Sequence, residues 1–171
     1  YISETLVTDV HLVNHKLGIE IVSNDTVASH ENIFLRRIRV SNLWDKTRDV
    51  RIFLHQDFRI SESKIGDTAF YDPESESLIH YKRDRYFLIN TEPHFDEFAT
   101  GRKAFRDQEG TWRDAEDGTL HGGAITEGSV DTTICVKFEL APQATNEFYY
   151  WICAGKSYDE VAEILDLGLG T

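Results

Sequence analysis

Thr132-Thr133-Ile134-Cys135-Val136-Lys137-Phe138-Glu139-Leu140 and, after a short polar break, Glu147-Phe148-Tyr149-Tyr150-Trp151-Ile152-Cys153-Ala154 are the most strongly β-forming stretches of this chain. Branched and aromatic side chains fit a pleated surface and lose rotamer freedom in a helix, so both runs predict strands. Working outward, residues 5–13 alternate, with Leu6, Thr8, Val10 and Leu12 on one face and Val7, Asp9 and His11 on the other. Residues 18–22 set Ile19 and Ile21 on one face, and Asn24-Asp25 predicts a turn. Residues 33–40 interleave Arg36, Arg37 and Arg39 with apolar positions, and residues 49–58 set Val50, Ile52 and Leu54 against Arg51, Phe53 and His55. Residues 77–81 and 86–90 flank Lys82-Arg83-Asp84-Arg85, the pattern of a hairpin with a polar tip. About eight to ten short strands with polar connections predict an antiparallel all-β domain. No repeat of about 20 to 50 residues points to a propeller or solenoid.

Composition bounds what such a domain does. The 171 residues suffice for one domain with a real core. A hydrophobic share of 40% and a charged share of 28% are those of a folded globular chain. The net charge of −12 repels phosphate backbones and anionic lipid, which argues against nucleic acid and membrane surfaces as partners and leaves room for a neutral sugar. No apolar run approaches the roughly 20 residues of a membrane span, and no signal peptide is visible, so a cytoplasmic location is expected. The chain contains no Met and begins at Tyr1 inside an apparent strand, the pattern expected of a piece of a longer protein. Cys135 and Cys153 lie in apolar strand runs and read as small core residues.

Two stretches break the β pattern. Residues 91–128 hold Gly101, Gly110, Gly118, Gly122, Gly123 and Gly128 with few alternating apolar positions, and read as a long functional or docking loop. At the end, Ser157 with Glu160 forms a capping box, Val161, Ile164 and Leu165 follow at helical spacing, and Gly168 supplies a stop. This helix either links to a further domain or packs on its own sandwich.

The densest chemistry is Gly110-Thr111-Trp112-Arg113-Asp114-Ala115-Glu116-Asp117-Gly118. Asp114, Glu116 and Asp117 offer oxygen ligands but lack the spacing of a twelve-residue Ca²⁺ loop. As a glycosidase acid and base they lie too close in sequence to span a sugar ring. The favoured reading is structural, with Trp112 packing, Arg113 paired to a carboxylate and glycines making the turns. A loop reaching a ligand held by another domain is the remaining reading. Among seven histidines none is spaced for a metal or lies beside a Cys; His11 and His55 read as partly buried and hydrogen-bonded, and His80-Tyr81-Lys82 as a more exposed strand end. No nucleophile elbow, P-loop or dinucleotide fingerprint is present, and the arginines 36, 37 and 39 read as partners in internal salt bridges.

Several phrases nevertheless resemble a known family: Glu4-Thr5-Leu6-Val7-Thr8, Asp49-Val50-Arg51-Ile52-Phe53-Leu54-His55-Gln56-Asp57-Phe58, Asp67-Thr68-Ala69-Phe70-Tyr71-Asp72-Pro73, Ile79-His80-Tyr81-Lys82, the 110–118 run, Gly128-Ser129-Val130-Asp131 and Tyr149-Tyr150-Trp151-Ile152. In this order they resemble the amino-terminal domain of bacterial and archaeal glucoamylases and related trehalases of glycoside hydrolase family 15. The resemblance implies an antiparallel β super-sandwich of two large packed sheets over residues 1–156, lacking its first strands, and an amphipathic linker helix over 157–171 leading to an (α/α)-barrel catalytic domain. It further implies that the catalytic glutamates belong to the barrel, which acts on α-linked glucose with inversion, so no catalytic residue, metal or cofactor is assigned here. Trp112, Arg113, Asp114, Glu116, Asp117, His80, Tyr81 and Lys82 are the candidates for a substrate-adjacent or barrel-facing surface. The partners implied are the barrel and an α-glucan or trehalose, and sheet edges near the start are expected to be covered by another segment or a second copy. Two other readings stand beside it. One is an autonomous carbohydrate-binding module using Trp44, Trp112, Tyr149 and Trp151, although the last two suit a core stripe better. The other is a sugar epimerase of related sandwich fold, for which no His–Glu pair can be chosen.

Overall fold

The computed structural model describes residues 1–62, 66–105 and 108–168. Twelve strands and two helices follow in chain order among these residues: β1 (Val10–Asn14), β2 (Ile19–Val27), β3 (Ile33–Asn42), β4 (Arg48–Gln56), β5 (Asp67–Asp72), β6 (Ser77–Lys82), β7 (Arg85–Glu92), β8 (Glu97–Phe105), β9 (Gln108–Glu109), α1 (Thr111–Asp114), β10 (Ile125–Gly128), β11 (Val130–Leu140), β12 (Thr145–Gly155) and α2 (Tyr158–Gly168). Among the described residues one sheet runs β1-β2-β3-β12-β7-β6-β5-β10 and the other β4-β11-β8-β9. Every strand pair is antiparallel. This is the expected all-β antiparallel sandwich with a carboxy-terminal helix.

The two quoted runs become β11 and β12, and each occupies the interior of its sheet. β11 pairs β4 through Ile134↔Leu54 and β8 through Ile134↔Phe98. β12 pairs β3 through Trp151↔Leu35 and β7 through Trp151↔Asn90. Alternation then sorts the side chains. Ile38, Val40, Val50, Leu78, Ile89, Ile134, Val136, Phe148 and Tyr150 fill the space between the sheets. The opposite face of the large sheet carries a second cluster, Ile79, Leu88, Trp151 and Cys153, covered by Val161 and Leu165 of α2. Ser157 caps the helix as read, its hydroxyl accepting from the Glu160 N–H at 3.2 Å, while Glu160 reaches back one residue past the N-cap and accepts from the Lys156 N–H at 2.8 Å. Residues 169–171 of the expected linker lie outside the described residues. Both cysteines are buried and unpaired, and burial pushes each thiol up to about 11.

Three local expectations change. Asn24 and Asp25 do not turn; they lie in β2, because Arg36 of β3 grips the Asp25 carboxylate at 2.7 and 2.6 Å and Arg37 donates to the Asn24 side-chain oxygen at 2.7 Å. A charge-assisted pair across neighbouring strands outweighs the turn preference of the two residues. The stretch 91–128 is not one loop but contains β8, which pairs β11 directly, together with α1 and β10. The strand expected at 5–13 reduces to β1, whose five residues are all exposed. No described segment covers its free edge.

Truncating the interior tests the layer assignment. Ile134→Ala is expected to cost about 2–5 kcal/mol by urea unfolding. Val10→Ser on β1 is expected to stay within about 0.5 kcal/mol of the parent.

Candidate functional site

The run 110–118 folds as α1 followed by a single 3₁₀ turn, Ala115–Asp117, laid on β8 and β11 of the small sheet. Thr111, the first residue of α1, is the buried one. The Thr111 N–H donates to Asp131 Oδ2 at 2.8 Å, and its hydroxyl shares a 2.9 Å hydrogen bond with that of Thr133. His55 Nε2 lies 2.8 Å from the same Asp131 oxygen. Gly110 has φ 92°, and a Cβ there would sit 2.3 Å from Asp131 Oδ2, so only glycine lets the backbone pass.

Beyond Thr111 the segment turns outward. Trp112 is 48% exposed, with the Arg113 guanidinium 5.9 Å from its ring centroid and 3.9 Å from Glu116. Asp114 binds His121, at 2.5 Å to Nδ1 and 2.9 Å to the backbone N–H, and this hydrogen bond raises the histidine's pKa. Asp117 accepts from the Thr119 N–H at 2.9 Å and its hydroxyl at 2.7 Å, which hold its carboxyl below the usual range. Each carboxylate thus serves a different local partner. Among the described residues no group of three or more His, Cys, Asp or Glu is placed to hold a metal ion. Arg113 pairs with a carboxylate as read, whereas Trp112 does not pack into the core.

His80, Tyr81 and Lys82 do not form the exposed strand end that their charged neighbours suggest. His80 is 1% exposed and faces the interior, where its Nε2 meets the Thr132 hydroxyl at 2.8 Å and its ring stands edge-on to Phe58 at 5.0 Å. Thr132 passes the hydrogen bond on to Gln56 Oε1 at 2.9 Å. Lys82 is buried and lies 3.1 Å from the Asp67 carboxylate. Tyr81 lies on the outer face of the large sheet, stacked on Tyr86 at 5.1 Å. The hairpin tip shrinks to Arg83-Asp84, since β6 and β7 pair through Lys82↔Arg85. Tyr81 and the Trp112 segment lie on opposite outer faces of the sandwich and share no surface. Of the two strand histidines, His55 is hydrogen-bonded and partly exposed, while His11 is exposed beside Asp9 at 3.2 Å.

The aromatic pool does not assemble into one platform. Trp44 lies over Gly18, with Lys46 4.8 Å and Arg48 4.4 Å from its ring. Trp151 is buried under α2, and Tyr149 is part-exposed. Tyr149 and Trp151 instead line an apolar groove of about 390 Å³ with Ile33, Leu35, Cys153 and Ile164. Apolar residues on both faces of β3 and β12 are its sequence signal. Asp131 enters the sequence reading only within the phrase Gly128-Ser129-Val130-Asp131 and with no site role; its signal is a carboxylate at the start of a strongly apolar and β-branched strand.

Compared with known proteins, the architecture has a clear counterpart. A bacterial glucoamylase crystallised with acarbose superimposes with a TM-score of 0.77 over 98% of this chain, at 13% identity, and the match takes up 24% of that chain. This is the β-sandwich fold of a glucoamylase. A protein from the human microbiome assigned as a kojibiose phosphorylase shares the glucoamylase-type sandwich more distantly, with a TM-score of 0.51 at 10% identity over 88% of this chain and 18% of its own. In sequence, an uncharacterised glycosyl hydrolase of Methanocaldococcus jannaschii is 25% identical over 139 residues, 78% of this chain and 22% of that protein. No family model matches the chain. The resemblance to the β domain of family 15-like glycoside hydrolases is borne out, and the chain spans about a fifth to a quarter of the relatives it matches. Among the described residues no helix is long and apolar enough to cross a membrane.

Within the sandwich, burial lowers His80 from 6.5 to about 4, against the opposing pull of the Asp131 charge. The unfolded chain therefore takes up this proton first as pH falls. Its contribution to stability is intact above pH 6.5, declines between 6.5 and about 4, and is gone below, a loss of about 3 kcal/mol. Urea unfolding at stepped pH is expected to show a flatter profile for His80→Gln than for the parent over that window. Equal slopes would remove His80 as the source.

Proposed function

We propose that the chain is a non-catalytic β domain of a glycoside hydrolase that cleaves α-linked glucose, in glucans or trehalose, with inversion. In this reading α2 leads toward an (α/α)-barrel that carries both catalytic glutamates, and the sandwich supports the barrel's fold and shapes the rim of its active site. The observation that carries the reading is the shared sandwich with a bacterial glucoamylase, of which this chain matches 24%. Such a share leaves most of a related enzyme to another domain. The part of this chain suited to meet substrate is the Trp112 segment, where an exposed indole lies near the Arg113 guanidinium and is followed in the chain by Asp114, Glu116 and Asp117. An indole face offers a neutral pyranose ring an apolar surface, and the surrounding groups offer hydrogen bonds to its hydroxyls. The net charge of −12 suits a neutral ligand, and the location proposed is cytoplasmic.

The complete gene product is expected to release β-glucose from maltooligosaccharides or trehalose, followed by proton NMR of the anomeric signals. Trp112→Ala is expected to raise KM about three- to tenfold, the value of about 1 kcal/mol for a partly exposed stacking contact, with the unfolding midpoint unchanged. No turnover of any α-linked glucoside would sink the reading. Full activity of a barrel expressed without residues 1–156 would sink the supporting role alone.

A further inference from the structure

We propose that Asp131 is a positioning residue that holds the Trp112 segment on the small sheet through Thr111 and thereby sets how Trp112 is presented. Its importance for substrate rests on the function proposed above; its effect on the segment does not. Three sequence stretches far apart in the chain, its own strand included, meet at this carboxylate. His55 arrives from the end of β4 and Thr111 from the start of α1. From the far side of β11, His80 of β6 reaches Thr132, the next residue along.

The geometry is that of an anchor rather than a filler. Asp131 has no exposed surface, yet one oxygen takes both the Thr111 N–H and His55 Nε2, each at 2.8 Å. The residue preceding α1 offers no side-chain cap, being glycine, so β11 supplies the acceptor that the helix start lacks. Space is cleared for this contact on both sides. A Cβ on Gly110 would meet Asp131 Oδ2 at 2.3 Å, and one on Gly101 would meet Thr111 Cγ2 at 2.7 Å. At the near end the Thr111 hydroxyl also meets that of Thr133 at 2.9 Å, and the remaining contacts lie toward the far end: Asp117 with Thr119, Asp114 with His121, Arg51 with the Gly118 carbonyl, and Glu97 with the Leu120 N–H. Trp112 follows Thr111 directly, and the Asp131 contact is made by the Thr111 backbone N–H whereas that of Thr133 is made by its side chain, so Asp131 bears on where the main chain carries the indole off the sheet.

Amide hydrogen exchange and acrylamide quenching, measured on the complete protein without any sugar, test this. In Asp131→Ala, exchange at residues 111–117 is expected to rise about tenfold or more, as for loss of a buried hydrogen bond to a charged group. Quenching assigned to Trp112 by difference against Trp112→Phe should rise with it, while β3 and β12 exchange as in the parent. Asp131→Asn, which keeps an acceptor for the Thr111 N–H, should restore most of the protection. Unchanged exchange over 111–117 in Asp131→Ala would overturn the proposal. So would equal loss of protection across the whole sandwich in both variants, or failure of both to fold, since Asp131 would then act on the fold at large.

Discussion

The register of β12 between β3 and β7 is the constraint on which the rest of the structure depends. Phe148 and Tyr150 face the small sheet, and Trp151 and Cys153 face α2. A slip of one residue would exchange the two sets, driving the indole between the sheets and leaving α2 over the wrong face. Because apolar side chains occupy both faces, neither face alone determines the choice. Size does: the space under α2 accepts Trp151 beside the small Cys153, while the inter-sheet layer takes rings that meet other rings, such as Phe148 with Phe138 at 6.3 Å and Tyr150 with Phe34 at 6.4 Å.

Much of this was legible in alternation. Alternation places β3, β4, β6, β7, β11 and β12 within two residues of their ends, because period-two patterns record burial on a sheet directly. β8 was hidden for a reason the structure supplies. Its outward positions include Ala99 and Gly101, the second with no room for a side chain beside Thr111, and a strand with such small residues on one face does not look like a strand. Asn24 and Asp25 misled because turn preference is a local property, whereas their partners Arg36 and Arg37 lie on the next strand. His80 and Lys82 misled in the opposite way: their neighbours in sequence are charged, but their neighbours in space are Phe58, Thr132 and Asp67. Of the candidate site, the sequence marked the exposed residues of 112–117 and missed the buried carboxylate beneath them, since nothing local distinguishes an anchor from an ordinary strand residue.

One end of the inter-sheet layer is polar. His80, Thr132, Gln56 and the Tyr150 hydroxyl form a chain of hydrogen bonds and close contacts running from the large sheet to the small one. Such a chain adds little net stability, because each group was already solvated in the unfolded state. Its value is directional. Apolar layers tolerate sliding, whereas a hydrogen-bonded path from β6 through β11 to β4 is satisfied in one alignment of the two sheets. Asp131 uses that alignment, since it stands one residue from Thr132 and on the opposite face.

The free edge of β1 has a consequence for how the domain behaves in bulk. Five exposed residues with Val10, Leu12 and Val13 among them, and no lysine or proline to blunt the edge, form a template for strand addition. What opposes that addition between like molecules is long-range: a surplus of twelve negative charges at neutral pH. The protection is colloidal rather than structural. It weakens with added salt and vanishes as the solution approaches the isoelectric point near 4.9, so the conditions that discharge the surface also remove the barrier to edge-to-edge assembly.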